Sequence, residues 1–198
     1  MPADEATARE DLAHLLPIFY GSVVSGVRAY YAEYSAVAHR HRTMTRRCIT
    51  RDEIVYDLRG PLDGLDGVRI VDRNQTTYIH VGDASGDRHR ILVKKSDDDA
   101  AVELGKTQAS FDFQGNSTGD LFGVELTNLY LSYVPDPNEP DHPTVLLICP
   151  NSGGYDWVME LQPPAVEIAG EITGAPMSPD HGDDLVRIPA IDKPVEFE

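Results

Sequence analysis

The periodicity of apolar residues changes once along the chain, near Gly67, and this change constrains the fold more than any other feature. Before it, apolar residues recur at the three- and four-residue spacing of one helical face. After it, short apolar runs bounded by turn residues are typical of strands. The order predicts an α+β domain, with N-terminal helices followed by a mixed or antiparallel sheet.

The clearest helical pattern lies between residues 17 and 38. Pro17 suits a first helical turn, and the leucines just before it suit a short preceding helix. The face comprises Tyr20, Val23, Val24, Val27, Tyr30, Tyr31, Tyr34 and Val37. These tyrosines could form a platform for stacked bases, but we favour a buried core with each hydroxyl reaching the surface.

A second helical segment is predicted over residues 43–58. Thr50 and Glu53 have the Thr-x-x-Glu spacing of a capping box, so we expect one helix with a break or two short helices. Gly60-Pro61 is predicted to end this segment, because proline cannot continue the hydrogen bonding of a helix interior.

Strands dominate the remainder of the domain. A hairpin is predicted around the turn at Asn74-Gln75, and a third strand is predicted from His89 to Lys95. A weakly helical piece between Ala100 and Phe113 precedes three more strands, at about residues 126–134, 144–149 and 155–161.

The last 37 residues differ in composition from the rest, with six prolines and eight acidic residues against two basic ones. Such a segment buries too little apolar surface to offset its ordering entropy. We therefore expect a single α+β domain over residues 1–161 and an acidic, flexible tail or arm over residues 162–198.

Charge is distributed unevenly. The whole chain carries a net charge of −16, which argues against a non-specific nucleic-acid binder, yet residues 28–51 contain six arginines and one glutamate. A compact basic patch can hold an acidic partner or a local phosphate; the alternative is a solvated helix face. The predicted partner or nucleic-acid contacts are Arg40, Arg42, Arg46, Arg47 and Arg51.

Several function classes receive no support from the sequence. There is no long apolar run and no basic leader, so we expect a cytoplasmic protein without a membrane partner. Cys48 and Cys149 are too few for a disulfide framework or a zinc site, although arginines beside Cys48 would favour a reactive thiolate. Zinc-protease and nucleotide-loop motifs are absent, and no resident metal or cofactor is expected.

The element order resembles the core of the PD-(D/E)xK nucleases over roughly residues 50–134. In that family two carboxylates hold Mg²⁺ and a lysine steadies the attacking water. Leu92 and Val93 stand where the motif requires its second acid, so the resemblance implies a degenerate site. The residues that it would use are Asp72 or Asp83, Lys94 or Lys95, Glu53 and Gln108.

A second resemblance covers about residues 30–161. A strand ending in Lys94-Lys95-Ser96-Asp97 and a following Thr107-Gln108-Ala109 helix are similar to a group of uncharacterised bacterial proteins. Matching segments also include Gly67–Ile70, Leu146–Asn151 and Trp157. Genes of this group neighbour a helix-turn-helix regulator fused to a zinc peptidase, so the resemblance implies a toxin–antitoxin or phage-defence pair and a protein partner.

The sequence thus favours a binding role over an enzymatic one. We expect a cytoplasmic bacterial component of such a pair that acts by binding a protein, with a helix-turn-helix regulator as the candidate partner. The first alternative is a degenerate Mg²⁺-dependent nuclease acting on DNA or RNA. The second is an acidic inhibitor that mimics nucleic acid and occupies a basic groove.

Overall fold

A computed structural model describes residues 2–73, 76–96, 102, 107–116 and 126–164. The helices are α1 (Glu5–Asp11), α2 (Leu16–Tyr34), α3 (Thr43–Leu62) and α4 (Gln108–Gln114). A 3-10 turn at Ala38–Arg40 joins α2 to α3. The strands are β1 (Val68–Arg73), β2 (Thr76–Asp83), β3 (Gly86–Lys95), β4 (Thr127–Val134), β5 (Thr144–Asn151) and β6 (Gly154–Leu161).

All six strands form one sheet in chain order, from β1 at one edge to β6 at the other. Neighbouring strands are antiparallel except β3 and β4, which run parallel because the segment containing α4 carries the chain back along the sheet. The predicted α+β class, with N-terminal helices before a mixed sheet, is confirmed.

The main core lies between the sheet and the helices α2 and α3. Val23, Val27 and Tyr30 of the tyrosine–valine face are buried there, which confirms the core interpretation for these residues. The two helices approach closely at Gly26, where an added Cβ would lie 2.5 Å from the backbone nitrogen of Ile54. Only glycine leaves enough space for this contact.

Helix α3 begins at Thr43, as predicted, but it is longer and more regular than expected, because the break predicted at Thr50 and the end predicted at Gly60-Pro61 are both wrong. Thr50 begins no helix; it is buried within α3 and hydrogen-bonds Tyr133 of β4. The helix also continues through Pro61 to Leu62. Because Pro61 has no N–H, it cannot bond the carbonyl of Asp57, and the hydroxyl of Ser22 donates to that carbonyl instead, at 3.3 Å.

A smaller apolar cluster occupies the opposite face of the sheet, where α4 packs. Its buried members are Phe113, Tyr130, Leu146 and Ile148, with Tyr78 and Leu92 packed against them. Within the described residues, the helix on this face is α4, which has seven residues.

The predicted strands and the hairpin are confirmed, with the turn residues Asn74 and Gln75 outside the described residues. Of the predicted tail, Gln162, Pro163 and Pro164 are exposed, and the remainder likewise falls outside the described residues. Among the helices described, none alone has the length and apolar character to cross a membrane; α1 and α2 meet that test only as a pair bent by 87°.

Candidate interaction surface

The first turns of α3 and the segment before it carry the five arginines predicted as contacts. Arg40, Arg42 and Arg46 are exposed, while Arg47 and Arg51 are half-buried. Positions four apart on a helix share a face, so Arg47 and Arg51 point to the same side of α3. The five arginines, together with Lys94 at the end of β3, are called the basic end.

Lys94 lies at the C-terminal end of β3. Burial lowers the pKa of its ammonium group, and the positive charges of Arg51 and Arg47 lower it further. The charges of residues from two separate sequence predictions, the arginine contacts and the Lys-Lys turn, therefore act on one another. A half-buried cluster of like charges is relieved when an anion binds to it.

Tyrosines lie beside these cations. Tyr30 is 1% exposed, stacks on Tyr34 with ring centroids 5.6 Å apart, and its hydroxyl lies 3.2 Å from Nδ1 of His41. Burial raises the pKa of Tyr30 and Tyr31, whereas the nearby charge of Arg46 lowers both. Burial also raises the pKa of Tyr133 to about 12. At neutral pH these phenols are therefore neutral hydrogen-bonding groups.

Two large apolar side chains of α3 are exposed. Met44 is 64% exposed and Tyr56 is 75% exposed. Arg51 of the basic end forms an exposed ion pair with Asp52, at 2.7 Å, and such pairs contribute little to stability. The helix thus presents arginine, tyrosine and methionine to solvent, which are residue types enriched in protein interfaces.

The carboxylates of the predicted nuclease site lie apart from one another. Asp83 faces Gly86 at the start of β3, about 25 Å along the strand from Lys94. It pairs with Arg88, at 2.8 Å. Asp72 lies on the edge strand β1, where Arg59 and Thr77 bind it at 2.8 and 2.6 Å.

The remaining nuclease candidates are also dispersed. Glu53 is on α3 and Gln108 on α4, so the sheet lies between them, and the Gln108 amide donates to Asp112 at 2.7 Å. Lys95 ends β3 opposite Tyr133 of β4. Within the described ranges, no group of three or more histidine, cysteine or acidic side chains is placed to hold a metal ion.

A buried histidine network that no sequence pattern predicted lies between α1 and β3. His89 is 1% exposed, and its Nε2 lies 2.8 Å from Oδ2 of Asp11. Burial lowers the pKa of His89, against the opposing effect of Asp11. Arg88 lies on the other side of Asp11, 3.5 Å from Oδ1. Asp11 and His89 are 78 positions apart in the sequence, so no local sequence pattern indicates that they pair.

A second network joins Arg69, His80 and Asp87 on three adjacent strands. Nδ1 of His80 lies 2.7 Å from Oδ2 of Asp87, and Arg69 donates to both carboxylate oxygens of Asp87 at 2.8 Å. The sequence feature that points to this network is the presence of glycines nearby, because glycine within strands often marks a bulge or a close backbone approach.

The two cysteines occupy different environments. Cys149 is fully buried, and burial raises the pKa of its thiol to about 12, so this thiol is inert. Cys48 is half-buried on α3. Both are free thiols.

No model of a known protein family matches this chain, and no curated protein or solved structure matches it either.

Proposed function

We propose that the protein acts by binding an acidic surface of a protein partner through the basic end. The observation that supports this most directly is the group of five arginines at the start of α3 and in the segment before it, with the charges of Arg47 and Arg51 acting on Lys94. This group is cationic on a chain whose net charge is −16.

The electrostatics of the basic end favour an anionic ligand. Arg47 and Arg51 both disfavour the charged form of the half-buried Lys94. A carboxylate placed against these groups would offset that repulsion and form charge-assisted hydrogen bonds with the guanidinium groups.

Two features favour a protein over a nucleic acid as the ligand. A phosphate backbone is repelled at long range by the net charge of −16, whereas a protein needs complementarity only at the interface. The exposed Met44 and Tyr56 of α3 add apolar contact area of the kind that anchors protein interfaces.

The resemblance to bacterial proteins encoded beside helix-turn-helix regulators supplies the proposed setting. We propose that the chain is the cytoplasmic member of a toxin–antitoxin or phage-defence pair, with such a regulator as its partner. The Lys94-Lys95 turn, which carries part of that resemblance, lies at the basic end.

Purified partner and matched variants test this proposal. The candidate regulator is titrated against the wild type, Arg42→Ala/Arg46→Ala and a control, Arg9→Ala/Arg28→Ala, that removes the same charge elsewhere. We expect the first variant to bind at least tenfold more weakly with a reduced salt dependence, and the control to bind like the wild type.

Equal binding by all three proteins at every salt concentration would contradict the proposal. So would preferential binding of DNA or RNA over the regulator. Mg²⁺-dependent cleavage of either nucleic acid by the wild type would favour the nuclease alternative.

A further inference from the structure

Four polar residues lie directly opposite one another across β1, β2, β3 and β4. The register pairs Arg69 with His80, His80 with Arg90, and Arg90 with Asn128. Side chains at alternate strand positions share a face. His80, Arg90 and Asn128 therefore lie on the same face as the apolar Tyr78, Leu92 and Tyr130, each of which is two positions away along its strand. The row therefore lies on the sheet face opposite α2 and α3.

A β-bulge brings Asp87 to the same face. Val81 pairs with His89, but the next β2 residue, Gly82, pairs with Asp87, so β3 contains one extra residue, Arg88. The extra residue reverses the alternation of β3 side chains between the two sheet faces. Asp87 therefore faces His80, and Arg88 lies near Asp11. Gly82 permits this geometry, because an added Cβ would collide with the backbone of Gly86.

The imidazole of His80 is held in one orientation by this carboxylate. Burial tends to raise the pKa of Asp87, but hydrogen bonds from Arg69 and His80 keep it below its ordinary value. The ionised carboxylate binds Nδ1 of His80, so Nε2 is directed away from Asp87. Only 17% of the His80 side chain is exposed.

The guanidinium of Arg90 is fixed by other contacts. Its Nε donates to Oδ1 of Asn128 at 2.9 Å, and its Cζ lies 5.0 Å from the ring centroid of Phe113 and 5.6 Å from that of Tyr78. Burial lowers the pKa of Arg90, and the charge of Arg73 acts in the same direction. The guanidinium is thus held on this sheet face by a hydrogen bond and by two aromatic rings.

We propose that Arg69, His80 and Arg90 form a binding site for a phosphate group. Their backbones span about 10 Å across three adjacent strands on one sheet face, and guanidinium and imidazole N–H groups are donors suited to a tetrahedral oxyanion. In the imidazolium form of His80, Nδ1 donates to Asp87 and Nε2 donates to one phosphate oxygen. The site is separate from the basic end and does not depend on the proposed partner.

The test uses the full chain and two phosphate sources. Inorganic phosphate and a single-stranded RNA hexamer are titrated by two-dimensional amide NMR, with chloride at the same ionic strength as a control. We expect saturable shifts on β1, β2 and β3 with phosphate. Displacement of the hexamer by phosphate would identify a phosphodiester as the source, and binding of phosphate alone would identify a free or monoester phosphate.

Matched variants of His80 locate the interaction. His80→Asn places an amide near the position of Nδ1 but removes Nε2, and we expect phosphate binding to weaken at least tenfold. His80→Gln extends an amide towards the position of Nε2 and is expected to lose less. Arg69→Gln, on the edge strand, tests the site without altering a buried side chain and is also expected to weaken binding about tenfold.

The variant Arg42→Ala/Arg46→Ala is expected to bind phosphate like the wild type, because the basic end is a different surface. Phosphate binding that persists in both His80→Asn and Arg69→Gln would overturn the proposal. Shifts that track chloride equally well, or that vanish only in the basic-end variant, would overturn it as well.

Discussion

Nε2 of His89 lies 2.8 Å from Oδ2 of Asp11, and this bond connects β3 to the end of α1. The histidine is 1% exposed, and no hydrogen-bond partner for its Nδ1 is found in the described structure. The imidazole is therefore buried with one nitrogen bonded and the other in a setting that disfavours a second proton.

This arrangement predicts a pH-dependent stability. Burial lowers the pKa of His89 in the folded protein below the ordinary value of 6.5, so the unfolded chain binds the proton more readily. The contribution to the free energy of unfolding is present above pH 6.5 and is lost as pH falls below it. We expect urea unfolding to show a larger loss of stability from pH 7.5 to 5.5 in the wild type than in His89→Gln.

Other groups titrate in the same range, so the comparison is between the two pH profiles. At pH 7.5 the His89→Gln variant is expected to be about 1–2 kcal/mol less stable than the wild type, since the buried bond to Asp11 is disturbed. Parallel profiles for the two proteins would show that His89 does not contribute.

The contact of α2 with α3 predicts opposite effects for two glycines of one helix. An added Cβ at Gly26 would meet the Ile54 backbone at 2.5 Å, whereas at Gly21 nothing lies within 4 Å. Gly26→Ala is expected to destabilise the protein by about 1–3 kcal/mol. Gly21→Ala is expected to stabilise it by about 0.5–1 kcal/mol, because alanine restricts the unfolded chain. Thermal unfolding of both variants measures these changes, and equal effects would exclude the close approach.

The bond between Ser22 and the Asp57 carbonyl predicts a coupling with Pro61. Ser22→Ala is expected to cost about 1 kcal/mol, because the carbonyl loses its donor. In a Pro61→Ala background the new backbone N–H can bond Asp57 within the helix, so the serine substitution should cost less. A double-mutant cycle of unfolding free energies measures this coupling; strict additivity would show that the hydroxyl does not replace the missing helix bond.

Because Lys94 belongs to the basic end, replacing it and Lys95 is expected to weaken binding of the protein partner. Lys94→Ala/Lys95→Ala is expected to lower affinity for the protein partner about tenfold, by removing positive charge beside Arg47 and Arg51. The fold should survive, as judged by circular dichroism.

The same variant separates the two leading functions. A nuclease would require these lysines beside bound Mg²⁺, and their loss would reduce the cleavage rate roughly 100-fold or more. We expect no Mg²⁺-dependent nicking from the wild type. Nicking that disappears in the double variant, with partner affinity intact, would reverse the ranking.

Strand positions and the α+β class followed from the sequence because they depend on local properties. Apolar residues alternate near β1, β2 and β3, and turn residues are frequent before Gly154. Both patterns determine local structure over only a few residues. The basic character of residues 40–51 was equally visible, since composition alone determines it.

The tertiary structure decided which of these residues meet. Pro61 remains in a helix because Ser22, on another helix, supplies the missing donor. Asp87 faces His80 because the bulge shifts the register, and Arg47 and Arg51 lower the pKa of the buried Lys94 ammonium although the sequence assigned these residues to different sites. Each outcome depends on contacts between distant segments, whose free energy is gained only after the chain has folded, so no local pattern encodes it.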